Sequence, residues 1–305
     1  MYHRQQWMPH AVEFLALLLF VPVVARAGEP TEGQLEKRIL VAAESARQWS
    51  ASECTIEQSS TRMRTGTRVL HWHVTVNHFG GEPDYPIGWP RIGLTLREAA
   101  ARDWSGWDYA QMWVYTDTSR DALPRAPLGL SLYTPDKEGA YNRTLTELAK
   151  GKWVRIQIPL ADVPRHNDVR LIQLHISESN YRHQDQLDFY LDEVTLLRYA
   201  RPTLLDFAAE AAVMFADAKQ IPVRFGLAGV KPGDAAAVVC ELRQRDRVVA
   251  KADTNAARGP GRLALDVSRL KLEPGEYEVI GRAAGGEQAG PVRLRLVESP
   301  WKTGG

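Results

Sequence analysis

Apolar residues return at every second position through much of the chain. In VLHWHVTVN, residues 69–77, Trp72, Val74 and Val76 share one face, and His71, His73, Thr75 and Asn77 share the other. In QMWVYTD, Met112 and Val114 oppose Trp113 and Tyr115; in GLSLYT, Leu130 and Leu132 oppose Ser131 and Tyr133. In LIQLHIS, Ile172, Leu174 and Ile176 oppose Gln173, His175 and Ser177. A period of two is that of a strand, whose side chains point alternately to opposite faces. CTIEQSS, WVRIQIPL and LDFYLDEVTLLRY are further strand-like runs, and Gly, Pro, Asp and Asn punctuate them. Helical periods are scarce. GLTLREAAARDW and YNRTLTELAK each suit a turn or two of helix, and QLEKRILVAAESARQ suits helix or strand equally. Many short strands with turn signals predict an all-β protein, a β-sandwich of jelly-roll type.

The segment ARPTLLDF marks a change. Beyond it His disappears and Ala, Val, Arg and Gly increase, while strand-like runs continue: IPVRFGLAG, AAAVVCELRQ, RVVAKAD, GRLALDVS, GEYEVIGRAA and PVRLRLVE. Their spacing predicts a smaller immunoglobulin-like β-sandwich over residues 207–298, after a jelly roll over 28–199 and a linker over 200–206. Residues 299–305 are expected to be a disordered tail.

The chain opens with a pattern of another kind. Arg4 precedes an apolar run from Phe14 to Val24, and Ala25-Arg26-Ala27 has the form of a cleavage site. Residues 1–27 therefore read as a signal peptide, and the expected location is secreted, periplasmic or cell envelope. The run is shorter than the about 20 residues that span a bilayer, so no membrane span is expected after leader cleavage. Retention of the leader as an anchor stays open. A net charge of +1 from 38 basic and 37 acidic residues gives no electrostatic reason to expect nucleic acid as a partner. Cys54 and Cys240 fall in different expected units and are expected to be free, packed thiols.

The polar faces of the first-half strands are unusual in content. A face that merely meets water carries Lys, Glu, Thr and Arg, whereas these carry imidazoles, phenols, indoles, amides and hydroxyls. That mixture suits a sugar, whose C–H faces lie on aromatic rings and whose hydroxyls need paired donors and acceptors. The candidate ligand-binding residues are His71, His73, Trp113, Tyr115, Tyr133, Gln173 and His175, expected to share one groove. Trp89, from the Gly- and Pro-rich loop over residues 77–93, joins them, as do Arg143 and Glu178 after strands. His71-x-His73 also puts two imidazoles on one strand face, a geometry that can hold a metal, but no third ligand is identifiable in the sequence.

The phrases from Trp104 to Trp113, from Gly151 to Leu160 and from Tyr190 to Val194 resemble the galactose-binding-like jelly roll of secreted carbohydrate-binding modules. The resemblance covers about residues 38–199. It implies a polysaccharide or oligosaccharide partner and a structural calcium, with Glu44 and Asp192 as ligands by analogy. Jelly rolls also support polysaccharide lyases, and His175, Tyr133, Arg143 and Gln173 mimic such a set; a glycosidase would need two flanking carboxylates. No nucleophile elbow, zincin motif or phosphate loop occurs. Three readings follow: a non-catalytic exported glycan-binding protein, favoured here; a lyase or hydrolase; and an envelope structural or adhesion protein with protein partners.

Overall fold

The computed structural model describes residues 24–25, 34–42, 46–80, 87–135 and 141–300. The expected leader lies outside them except for a two-residue strand β1 (Val24–Ala25). The strands of the first half are β2 (Leu35–Val41), β3 (Trp49–Ser52), β4 (Thr55–Ser59), β5 (Val69–Thr75), β6 (Arg91–Thr95), β7 (Tyr109–Thr118), β8 (Gly129–Tyr133), β9 (Tyr141–Thr144), β10 (Trp153–Pro159), β11 (Leu171–His175), β12 (Gln186–Leu191) and β13 (Val194–Tyr199). They form two antiparallel sheets. In the first, β10 flanks the long β7, β12 and β13 lie end to end along its other edge, β5 then β4 follow β12, and β2 follows β13. The second runs β3-β6-β11-β8-β9.

The alternation decides what lies between them. Trp72, Val74, Met112, Val114, Ile156 and Phe189 point inward from the first sheet, and Ile92, Leu94, Leu130, Leu132, Ile172 and Leu174 from the second. All are buried in one apolar core, with Trp72 and Phe189 in ring contact at 4.8 Å. Burial of each such side chain contributes roughly 1.5–3 kcal/mol. The architecture is the expected jelly-roll type of β-sandwich, leaving each sheet an outer face free of packing duty.

The second half contributes β14 (Thr203–Ala209), β15 (Val213–Phe215), β16 (Gln220–Ala228), β17 (Ala236–Gln244), β18 (Arg247–Ala256), β19 (Gly259–Asp266), β20 (Gly275–Ala283) and β21 (Gln288–Val297). One sheet runs β1-β14-β16-β19 and the other β15-β21-β20-β17-β18, about a separate core that includes Phe207, Val223, Val238, Cys240 and Leu294. Cys54 and Cys240 are free.

Three local expectations need correction. YNRTLTELAK does not form a helix: Tyr141–Thr144 pairs with β8, because an exposed strand edge satisfies its backbone better than an isolated turn of helix. The expected linker is already strand from Thr203. Ser299 is buried, so the chain is still packed where a tail was expected to start. By contrast, GLTLREAAARDW yields the single helical turn α1 (Ala99–Arg102).

The two cores are joined at Asp108. Its buried carboxylate accepts hydrogen bonds from the backbone amides of Tyr199, at 2.9 Å, and Gly229, at 3.1 Å, and pairs with Arg258 at 3.1 Å. Arg258 also bonds to the carbonyl of Ser105. Gly229 is required at this point. It has φ +73°, and a Cβ there would stand 2.3 Å from the carbonyl oxygen of Arg201. Burial raises the Asp108 carboxyl and lowers the Arg258 guanidinium from their ordinary values, so desolvation outweighs the attraction between them. Removing one partner is then costly, because the other charge stays buried. Arg258→Ala is expected to reduce unfolding free energy by about 3 kcal/mol in urea titration. A loss below about 0.5 kcal/mol, the range of ordinary surface substitutions, would show that Asp108 is not a joint.

Candidate functional site

The outer face of the second sheet is built from cross-strand rows. Ser50, Gly93, Gln173, Ser131 and Asn142 lie side by side across five strands. The next row is Ser52, Arg91, His175, Gly129 and Thr144. Tyr133, paired with Leu171, lies on the opposite side of the first row. Two glycines and three serines keep the floor of this face low. At Gly129 the absence of a side chain is a requirement, since a Cβ there would meet His175 Nε2 at 2.3 Å. The imidazole therefore lies across the glycine.

The polar groups on this floor are incompletely paired. Gln173 is 8% exposed at the centre of the first row. Ser131 donates to Asn142 Oδ1 at 2.6 Å. His175 Nδ1 is buried and unpartnered. Desolvation holds the His175 imidazole below its ordinary value, so the ring is neutral and offers one donor and one acceptor. Because the folded value is depressed, the associated stability is full above the unfolded imidazole value of about 6.5 and declines as pH falls below it.

One edge of the face is set by a loop with clamped ends. Glu178 is 3% exposed, and its carboxylate accepts the backbone N–H of Asn77 and of Gly88, each at 3.0 Å. These two residues bracket the long loop. The Trp89 amide, next in the chain, donates to Glu53 Oε2 at 2.7 Å. Trp89 itself is 42% exposed, with its ring 5.0 Å from the His175 ring and 5.1 Å from the Arg91 guanidinium. Glu178, expected to touch ligand, is instead the group that holds Trp89 in place. A carboxylate buried this deeply is tolerated because backbone donors replace its water.

His71, His73, Trp113 and Tyr115 are not on this face. They occupy the outer face of the first sheet, so the single groove expected from the alternation is two faces on opposite sides of the sandwich. Strand parity says which residues share a face of one strand and nothing about which sheet that strand joins. The rings there are also covered. The β4–β5 connection lays the Arg64 guanidinium 3.7 Å from the Trp113 ring centre and that of Arg62 5.1 Å from Tyr115. Arg62 pairs with Asp117 at 3.7 Å and Arg64 with Asp192 at 3.7 Å. Tyr115 is left 7% exposed. These rings engage cations of their own chain.

Arg143 points away from both faces. It donates to the Gln157 carbonyl at 3.0 Å and pairs with Glu147. Of the residues considered for calcium, Glu44 lies outside the described residues. Asp192 is buried, with one oxygen accepting from Thr65 at 2.6 Å and the other from the Glu193 amide at 2.8 Å. With both oxygens engaged and Arg64 adjacent, that carboxylate is a poor ligand for a divalent cation. Arg91, Ser131 and Asn142 on the second sheet were not among the candidate ligand-binding residues. The outward parity of Ser131 was the available signal.

No family model and no curated protein matches the chain. Among solved structures, a family 11 carbohydrate-binding module from Clostridium thermocellum in complex with a mixed-linked tetrasaccharide is similar at 13% identity and TM-score 0.35, over 52% of this chain and 94% of that one. A carbohydrate-binding module specific for non-crystalline cellulose is similar at 18% identity and TM-score 0.34, over 58% of this chain and 99% of that one. A β-1,2-glucanase from Parabacteroides distasonis is similar at 12% identity and TM-score 0.36, over 88% of this chain but only 37% of that enzyme. Likeness this distant carries no functional assignment.

Two outcomes follow from the site geometry. Glu178→Ala strands two amides and is expected to cost about 2–4 kcal/mol, read by thermal unfolding, with Trp89 emission shifting as the loop loosens; full stability and unchanged emission would contradict the clamp. Gly129→Val forces His175 off the floor, so the His175 ring proton resonances are expected to move in NMR spectra while the fold persists. Unmoved resonances would show that the imidazole does not lie across Gly129.

Proposed function

We propose that the protein binds a glycan, a polysaccharide or oligosaccharide, on the outer face of the second sheet, without cleaving it. The observation that carries this reading is the His175 imidazole, whose buried Nδ1 has no hydrogen-bond partner among the described residues. The ring is neutral and lies on a floor shared with Gln173, Ser131 and Asn142. A buried ring nitrogen without a partner is costly unless something supplies one. Sugar hydroxyls supply both a donor and an acceptor, and the half-exposed Trp89 ring offers the apolar plane on which a pyranose C–H face lies. A face without Lys and with Arg91 already paired to Glu53 favours a neutral ligand over an anionic one.

The same geometry argues against catalysis. His175 and Tyr133 face out from rows four residues apart along the strands, roughly 13 Å at strand spacing, so they do not converge on one bond as an acid–base pair must. Glu178 has both oxygens engaged by the loop. On this reading residues 1–27 export the chain, and the second sheet pair is an immunoglobulin-like spacer. Among the described residues no helix is long and apolar enough to cross a membrane.

The test is electrophoretic retardation in native gels cast with plant, algal and bacterial polysaccharides. One class is expected to retard the wild-type chain. Trp89→Ala and Gln173→Ala are expected to abolish that retardation, each losing about 1–3 kcal/mol of binding, while Trp113→Ala preserves it. Absence of retardation by every polysaccharide, or equal loss in the Trp113 variant, would sink the assignment and leave the face a protein-contact surface.

A further inference from the structure

The outer face of the first sheet carries a second constellation, independent of the glycan reading. Five strands align Trp153, Tyr115, Tyr190, His71 and Glu57 in one row. One step along the strands, Asp117, Asp188, His73 and Thr55 form the next. Three ligand-type atoms converge between these rows. Asp188 Oδ1 is 2.7 Å from His71 Nε2 and 2.8 Å from His73 Nδ1. Among the described residues this is the one group of three or more His, Cys, Asp or Glu side chains brought close enough to hold a metal ion.

We propose that His71, His73 and Asp188 bind one divalent transition-metal ion of the imidazole-preferring kind, such as Zn²⁺. Two nitrogens and one carboxylate oxygen form a donor set that favours such ions over Ca²⁺ or Mg²⁺. Three protein ligands with open positions are the arrangement of a zinc site that keeps access to water or a further ligand. The converging atoms need only separate slightly to admit an ion at about 2.0–2.2 Å from each.

The surroundings orient these ligands. His71 turns its other nitrogen, Nδ1, to Glu57 Oε1 at 3.1 Å, which is the carboxylate–histidine–metal relation that fixes a ligating ring. The far side of His73, Nε2, meets the Thr75 hydroxyl at 3.3 Å. The His71 ring is stacked on Tyr190 at 4.5 Å with 9° between planes, which restricts its rotation. All three ligands sit on adjacent paired strands, β5 and β12, and so on rigid elements. The neighbouring Arg62 is engaged by Asp117 and Tyr115, and Asp188 has no Lys or Arg partner among the described residues. The Asp188 and His73 side chains are 32% and 36% exposed, so the open coordination positions face solvent.

The test is calorimetric titration of the full chain with Zn²⁺, supported by the visible absorption of the Co²⁺ form. One equivalent per chain is expected. Asp188→Asn is expected to abolish binding, and Glu57→Gln to weaken it about tenfold. His183→Ala is expected to leave it unchanged, although His78 and His183 form another near histidine pair, with ring centres 5.8 Å apart. Should Asp188→Asn fail to fold, His73→Asn, at a half-exposed position, makes the same test. Polysaccharide retardation of the Asp188 variant is expected to match wild type, since that face is on the other sheet. No Zn²⁺ bound by the wild-type chain, undiminished binding in the folded Asp188 or His73 variant, or loss in His183→Ala would each overturn the proposal.

Discussion

The carboxylate of Glu178 has lost nearly all contact with water, and an ionised group survives in such a place only where donors replace its hydration. Here the donors are the backbone amides at the two ends of one long loop. The candidate face depends on that bond pair. Without it Trp89 has no fixed position over His175, and the floor of Gln173, Ser131 and Asn142 has no edge. The cost of burying the charge is met within the loop, and the ordered loop brings an indole to a strip of amides, hydroxyls and imidazole.

Two-residue alternation makes both outer faces possible. Once Ile92, Leu130 and Ile172 fill the core, the intervening positions on the same strands are released from packing. The two sheets use that freedom differently. The second leaves its polar groups short of partners and its floor low at Gly93 and Gly129. The first closes its aromatic row with Arg62 and Arg64, then gathers His71, His73 and Asp188 beside it. An unsatisfied neutral face suits a hydroxyl-rich ligand. A self-paired face with one nitrogen- and oxygen-rich corner suits a small cation.

Much of this was legible in the sequence, and the limits have a physical origin. The inward set Trp72, Met112, Val114, Leu130 and Leu174 follows from parity alone, and so does the outward direction of Gln173 and His175. Sheet membership does not, because it is set by crossovers between distant strands, and this merged two faces into one expected groove. The alternation gives no sign that Arg62 and Arg64, in the connection before β5, lie over Tyr115 and Trp113. Asp188 escaped notice because its value lies in register with His73, a relation between residues more than a hundred positions apart. Glu178 was found as a polar residue after a strand, but its burial, and hence its role as a clamp, is a tertiary fact.

The central claim is that ligand is held on the second sheet and not the first, and the indole N–H signals of Trp89 and Trp113 report on the two faces separately. The most direct measurement is NMR titration of the chain with an oligosaccharide of whichever polysaccharide retards it, following those two assigned signals. The account predicts a saturating shift at Trp89 with Trp113 unmoved. A shift at Trp113 with Trp89 unmoved would place the ligand on the opposite sheet and contradict it.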